Sequence, residues 1–240
     1  MIIDVETFYN PAFALAGVKG LTLLRQQLDE AGVTTALLFP EPKPLATDNE
    51  GMYAQIRSDP RFVGIASVNP HLGAEGTALL RRALTEWGFR GLKLMPVHYA
   101  FRAASGAADH LLQTAREHGV PVTVHSGNFF CHPLEIAQMA RRFPEVNFIM
   151  DHMGYRYYVL EAILAAEQHP NIYLATTAVF EPHFIANAVE RVGAERVVFG
   201  SNAPMVLPRL QLEVIRALRL PAADEALIMG GNAARLYGLN

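Results

Sequence analysis

Residues 119–154 read GVPVTVHSGNFFCHPLEIAQMARRFPEVNFIMDHMG. A short β-branched run, Pro121–His125, is followed by an amphipathic stretch, Pro133–Phe143, and then by a second short apolar run, Asn147–His152. The short runs suit strands and the longer periodic stretch suits a helix. Together they predict a strand–helix–strand unit with parallel strands. The punctuation agrees: Gly119 follows a helical run, where a left-handed residue ends the helix at little cost, and Pro121 and Pro133 stand at element starts, where a missing N–H does little harm. Both strands end in histidine, His125 and His152.

The same alternation continues outward in both directions. Further strands are expected at Ile2–Glu6, Thr34–Phe39, Phe62–Val68, Phe89–Met95, Ile172–Thr176 and Val197–Ser201. Helical patterns occupy Leu21–Ala31, Ala74–Trp87, Ala107–His118, Tyr158–His169, Pro182–Val192 and Leu210–Leu218, with a weaker one around Asp48–Arg57. The tail, Glu225–Tyr237, reads as a last helix broken at Gly230-Gly231. Eight such units without a composition break predict one α/β domain over residues 1–240, a single (β/α)8 TIM-type barrel rather than an open doubly wound sheet, and 240 residues is an ordinary size for it.

Hydrophobic residues make up 51% of the chain and charged residues 18%, with a formal net charge of −3. That composition is globular, and the scattered charges offer no nucleic-acid surface and no polybasic membrane patch. Apolar runs such as Val33–Pro40 are too short to span a bilayer. The chain opens on a strand-like Met-Ile-Ile-Asp-Val without a basic, apolar leader, so the cytoplasm is the expected compartment. The single cysteine, Cys131, excludes an intrachain disulfide and suits a reducing environment. Its neighbour His132 invites a nucleophile reading, but a small buried residue near a helix start is the preferred one.

Barrel chemistry belongs at the carboxyl ends of the strands. Strand alternation sends Glu6, Lys93, His125, His152 and Asn202 toward the axis. His71, His98, His132 and His183 fall in loops just after strands, so six of the nine histidines share one face. Arg156, flanked by tyrosines after the sixth strand, is a candidate clamp for a substrate carboxylate, with a solvated loop as the plain alternative. Glu6 is also readable as a structural carboxylate paired with Lys93.

These residues carry a family likeness. The segments IIDVETF, GFRGLKLMP, PVTVHSG, PEVNFIMDHMG, RVVFGSNAPM and GGNAARLYGL, in this order, resemble the amidohydrolase superfamily, and most closely its decarboxylase and small-hydrolase branch. The resemblance implies a divalent metal held by an Asp-x-His-x-His motif on strand one, a histidine on strand five and an aspartate on strand eight, with the strand-six histidine contacting substrate or moving a proton. Here Asp4, His125 and His152 match. Glu6 stands at the first histidine of strand one, as in the decarboxylase branch. Phe8 replaces the second histidine and Asn202 the aspartate. Phe8 offers no donor, and Asn202 is a poor zinc ligand and no general base.

Two site readings follow. Either Glu6, His125 and His152 hold one zinc or manganese ion, or no metal binds tightly and Glu6 acts as a free carboxylate beside Lys93; the altered donors favour the second. The expected function is hydrolysis of a small polar or carboxylated molecule, with Glu6, His125, His152 and Asn202 in the catalytic set and Lys93, Arg156, Phe8 and His98 around the substrate. Non-oxidative decarboxylation or a related lyase step is the alternative, and a barrel that binds a ligand without turnover is the third. The partner is a small molecule rather than a nucleic acid or a membrane, and a homodimer, common in the family, stays open.

Overall fold

The structure, a computed structural model, describes residues 1–43 and 47–239. Eight parallel strands form its centre: β1 (Ile3–Tyr9), β2 (Thr35–Pro40), β3 (Phe62–Gly64 and Ala66–Ser67), β4 (Leu92–Leu94), β5 (Val122–His125), β6 (Phe148–Asp151), β7 (Ile172–Ala175) and β8 (Val197–Val198). Neighbours in sequence are neighbours in the sheet. The first segment of β3 pairs with β2 and the second with β4. The ring closes between β8 and β1: the Val5 N–H donates to the Phe199 carbonyl at 3.0 Å, the Asn202 N–H to Glu6 at 2.9 Å and the Phe8 N–H to Ala203 at 2.9 Å. Closure leaves no open sheet edge. The expected barrel is the fold.

Helices follow the strands: α1 (Gly20–Ala31), α2 (Asn49–Ile56), α3 (Gly73–Thr85), α4 (Asp109–His118), α5 (Pro133–Arg142), α6 (Val159–Gln168), α7 (Pro182–Val192) and α8 (Pro208–Ala217). The weakly patterned α2 is fixed by its cap, since the Asp48 carboxylate accepts the Gly51 N–H at 2.8 Å. The tail departs from the expected break. Helix α9 (Ala222–Ala226) runs through a π-helical turn, Leu227–Gly231, into α10 (Asn232–Tyr237). Here the missing side chain serves a close approach: a Cβ on Gly230 would stand 2.8 Å from the Met1 carbonyl oxygen. No described helix is long and apolar enough to cross a membrane.

Two apolar layers fix which side chains face the axis. Leu92, Leu94, Val122, Val124, Phe148 and Met150 lie in the outer layer beneath the helices. Ile3, Leu37, Ile65, Ile149, Tyr173 and Val198 lie in the inner one. A period of two then sends Lys93, Thr123, His125 and Asp151 inward. The lower end of the barrel is stoppered by α10, whose Tyr237 hydroxyl shares a 3.1 Å hydrogen bond with Thr123.

Candidate active site

Glu6 reaches the axis through an irregularity. The register of β1 on β2 runs Asp4↔Ala36 and then Thr7↔Leu38, so β1 carries one extra residue there. Val5 keeps its place in the inner apolar layer, and Glu6 still lines the cavity above it. Asp4 lies against the start of the β8 loop instead, where its Oδ1 accepts the Ser201 N–H at 3.0 Å and the Glu6 N–H at 3.1 Å. Burial pushes its pKa up to about 7. Gly200 is what lets the loop close over Glu6: a Cβ there would meet Thr177 Oγ1 at 2.4 Å and Glu6 Cβ at 3.0 Å.

His152 arrives differently from the way alternation predicts. Parity on β6 points Asp151 inward, beside its ladder partner His125. The strand ends there, and His152 and Met153 take left-handed backbone angles, φ 59° and 47°. That turn swings the imidazole back over the axis, so adjacent residues both face the site. Asn202 is left-handed as well, φ 72°, a conformation asparagine tolerates better than most residues. Non-glycine residues in this region store strain that functional sites commonly hold.

The centre of the arrangement is a buried cation between two carboxylates. Lys93, with no exposed side-chain surface, places Nζ 2.6 Å from Glu6 Oε1 and 2.8 Å from Asp151 Oδ2. The ammonium also lies 4.7 Å from the centre of the Phe39 ring. His152 Nε2 stands 3.1 Å from the same Asp151 oxygen, and its Nδ1 3.3 Å from the Thr177 carbonyl. The His125 and His152 rings meet edge to face at 4.7 Å. His125 Nδ1 lies 3.7 Å from the Cys131 sulfur.

Burial, then Asp151, holds the Glu6 carboxyl well above the ordinary glutamate range, against the pull of Lys93. Burial also pushes Asp151 upward, but His152 and Lys93 outweigh it and keep that carboxyl below the usual aspartate range. Lys93 is desolvated too, yet the two acids raise it above an ordinary lysine. The consistent state at neutral pH is a protonated Glu6, an ionised Asp151 and a charged Lys93, which leaves the group close to neutral. Burial, followed by repulsion from its neighbour His152, lowers His125 to about 3. His152 is lowered by burial, with Asp151 opposing. His125 is therefore neutral, whereas His152, whose two ring nitrogens both face oxygen acceptors, is held between burial and the Asp151 charge. Cys131 is pushed by burial to about 12, which makes it an inert thiol, in line with the plainer sequence reading.

A cavity of about 500 Å³ opens above this group at the carboxyl rim. Glu6, His125 and His152 line it, Phe8, Phe39 and Met95 wall it, and His98, Asn128, Asn202 and Glu41 add polar edges. Tyr155, Tyr157 and Met205 also line it. No lysine or arginine is among its described lining residues. Of the residues expected around a site, Glu6, Phe8, His98, His125, His152 and Asn202 all line this space. Two expectations fail. Lys93 does not reach the cavity, because its charge is engaged by two carboxylates below. Arg156 is not among the described lining residues; its side chain is 69% exposed and pairs with Glu181 at 2.7 Å. Asp151 is not in the set expected from sequence, since only one of two adjacent residues fits an unbroken alternation; its shared parity with Ile149 is the signal that points to it.

The group that could hold a metal ion is Glu6, Asp151 and His152, whose donor atoms lie within 4.8 Å of one another. Asp151 takes the position assigned to His125 in the expected set. Glu6 Oε2 and Asp151 Oδ1 are buried without a hydrogen-bond partner, so an ion would satisfy both. Two carboxylates and one imidazole are oxygen-rich and suit manganese as well as zinc. A proton shared between the two carboxyls, which stand in hydrogen-bonding reach of each other, is the other way to hold the pair.

A closed α/β barrel with a cavity at its carboxyl rim defines the class of protein. Within that class, the chain belongs to the amidohydrolase family, which residues 12–239 match. The matched span starts after Glu6 and Phe8. No curated protein matches the sequence. Among solved structures, 5-carboxyvanillate decarboxylase from Sphingomonas paucimobilis is 15% identical with a TM-score of 0.81, covering 100% of this chain and 99% of that one. A dihydroxybenzoic acid decarboxylase from Polaromonas, with bound manganese and the inhibitor 2-nitroresorcinol, is 18% identical with a TM-score of 0.77, covering 100% and 97%. A candidate 2-pyrone-4,6-dicarboxylic acid hydrolase from Pseudomonas putida is 17% identical with a TM-score of 0.72, covering 100% and 98%. At these identities the likeness establishes the fold.

Proposed function

We propose that the chain is a lyase that removes carbon dioxide from a small planar carboxylic acid, with Glu6 as the proton donor. One observation carries the reading: Glu6 is a lining residue of an apolar-walled cavity, and no lysine or arginine is among the described lining residues. In decarboxylation the charge on the departing carboxylate disappears. A cation fixed on that group would stabilise the substrate more than the transition state, so neutral surroundings favour the reaction. The similarity to two decarboxylase folds points the same way.

The steps follow from the side chains. The ring lies against Phe8, Phe39 and Met95, and the amides of Asn128 and Asn202 offer neutral hydrogen bonds to its oxygens. Glu6 gives its proton to the ring carbon that bears the carboxylate. The bond between that carbon and the carboxylate then breaks, its electron pair restores the ring, and neutral carbon dioxide leaves along the apolar wall. Glu6 recovers a proton from water, and the hydroxide left behind combines with the released carbon dioxide as bicarbonate. Asp151 and Lys93 hold the Glu6 carboxyl in place throughout. Proton donation of this kind contributes about 10²–10⁴ in rate.

A divalent ion, held by Glu6, Asp151 and His152, would supply further charge stabilisation at a substrate oxygen. Lys93 already neutralises those carboxylates, and we infer that the chain works without a tightly held metal.

Hydrolysis is the second reading, favoured by the His125 and His152 rings, whose centroids lie 4.7 Å apart and either of which could draw a proton from water. Their lowered basicity makes them weak at that task. The test is a panel of aromatic acids and lactones assayed on the wild type and on Glu6→Gln. Carbon dioxide release that falls by about 10²-fold or more in the variant supports the lyase. Equal rates in both proteins remove Glu6 from the chemistry, and lactone opening without decarboxylation moves the assignment to a hydrolase. Binding with no turnover of any compound leaves a ligand-binding barrel.

A further inference from the structure

Glu41 follows β2 and lines the cavity. Its N–H donates to the Tyr9 carbonyl at 3.0 Å. Tyr9 stands three residues beyond Glu6 on β1, so the backbone positions that carry the two acidic residues are about 10 Å apart along the strand direction. Both line the same cavity of about 500 Å³, which has room for one benzene ring with a substituent at each end. Among the described residues no salt bridge is formed by Glu41; the titratable group it acts on is His98, which also lines the cavity and which burial holds below the ordinary histidine range, and the Lys93 charge is taken up below by Glu6 and Asp151. Phe8, Phe39, Tyr155 and Tyr157 also line the space, and aromatic faces attract cations and offer nothing to an anion. The upper part of the cavity is therefore acidic and aromatic. A second carboxylate there would meet repulsion, whereas a positive nitrogen would meet a partner.

We propose that Glu41 is a specificity residue that receives a protonated nitrogen of the substrate, so that the substrate is a ring acid carrying an ammonium group on a saturated side arm at the end opposite its departing carboxylate. The orientation of the ring rests on the lyase reading; the pairing with Glu41 does not.

Calorimetric binding without turnover separates the two. The probes are para-aminomethylbenzoate, para-toluate and terephthalate, which differ only in whether the far substituent is positive, neutral or negative. The wild type is expected to bind para-aminomethylbenzoate about fivefold more tightly than para-toluate, as a partly exposed ion pair allows, and terephthalate most weakly. Glu41→Gln should erase the gap between the first two. Glu41→Lys should invert the order and favour terephthalate, which excludes general damage to the cavity, and matching melting temperatures confirm folding. The proposal is overturned by an unchanged ranking in Glu41→Gln, or by a wild type that binds none of the three. A Glu41-dependent ranking with no carbon dioxide release from any acid keeps this assignment and removes the lyase; carbon dioxide release with a Glu41-indifferent ranking does the reverse.

Discussion

On β6, Ile149 packs into the inner apolar layer and Asp151, two residues further, enters the ionised group. The same division runs across the barrel interior. Its lower half is hydrocarbon, filled by Ile3, Leu37, Tyr173 and Val198 and stoppered by Tyr237. Its upper half holds Glu6, Lys93, Asp151, His125 and His152. The contrast shows how a cluster of charges is tolerated inside a protein. A buried ion pair rarely adds net stability, because desolvation offsets most of the Coulomb attraction. The packed lower half supplies the stability, and the upper half need only stay close to neutral, which Lys93 ensures.

The sharpest way to break that division is Lys93→Met. With the ammonium gone, two carboxyls remain buried without a counter-charge, and the expected loss in urea unfolding at neutral pH is about 3–5 kcal/mol. A loss below about 1 kcal/mol, the worth of an exposed pair, would show that the lysine is not the internal counter-ion. The matching probe below is Ile149→Val. It removes one methylene from the apolar layer and should cost about 0.5–1.5 kcal/mol, with ligand affinity in the cavity unchanged. If affinity falls together with stability, the two halves are one mechanical unit and the division is wrong.

Much of this contrast was legible in the sequence. The strand–helix alternation gives the barrel, and three of the histidines expected at the strand ends, His98, His125 and His152, line the cavity, because periodicity and spacing are local properties of the chain. Legibility ends where the backbone leaves regular geometry. The extra residue in β1 turns Asp4 toward Ser201 while Glu6 still reaches the cavity, and the left-handed turn at His152 lets it and Asp151 face the axis together. Neither event has a periodic signature. Arg156 misled for a related reason, since proximity to β6 in the chain says nothing about direction, and Glu181 from the next loop captures it. Glu41 carries no motif and is recognised only once the cavity exists.

Cys131 separates reactive from inert side chains within the upper half itself. It lies against His125, yet burial holds its thiol at about 12. Iodoacetamide at pH near 8 should therefore leave the native chain unlabelled over hours and label it fully in urea. Rapid native labelling would show that solvent reaches beneath His125 and that the upper half is not closed from below.

The smallest expected effect concerns metal, and it tests the same division through charge. A divalent ion about 4 Å from the Lys93 ammonium would meet a repulsion of about 8 kcal/mol at an effective dielectric constant near 20, before any gain from Glu6, Asp151 and His152. Wild-type protein purified without a histidine tag should hold well under one manganese or zinc per chain, and millimolar manganese should leave its melting temperature unchanged. An ion that binds the folded chain at a hundred times its dissociation constant would add about 2.7 kcal/mol of stability, a rise of several degrees that thermal unfolding resolves easily. Such a rise would mean that the two carboxylates prefer the ion to the lysine. The upper half would then be neutralised from outside, and its independence of cofactors would be lost while the apolar half below stayed as described.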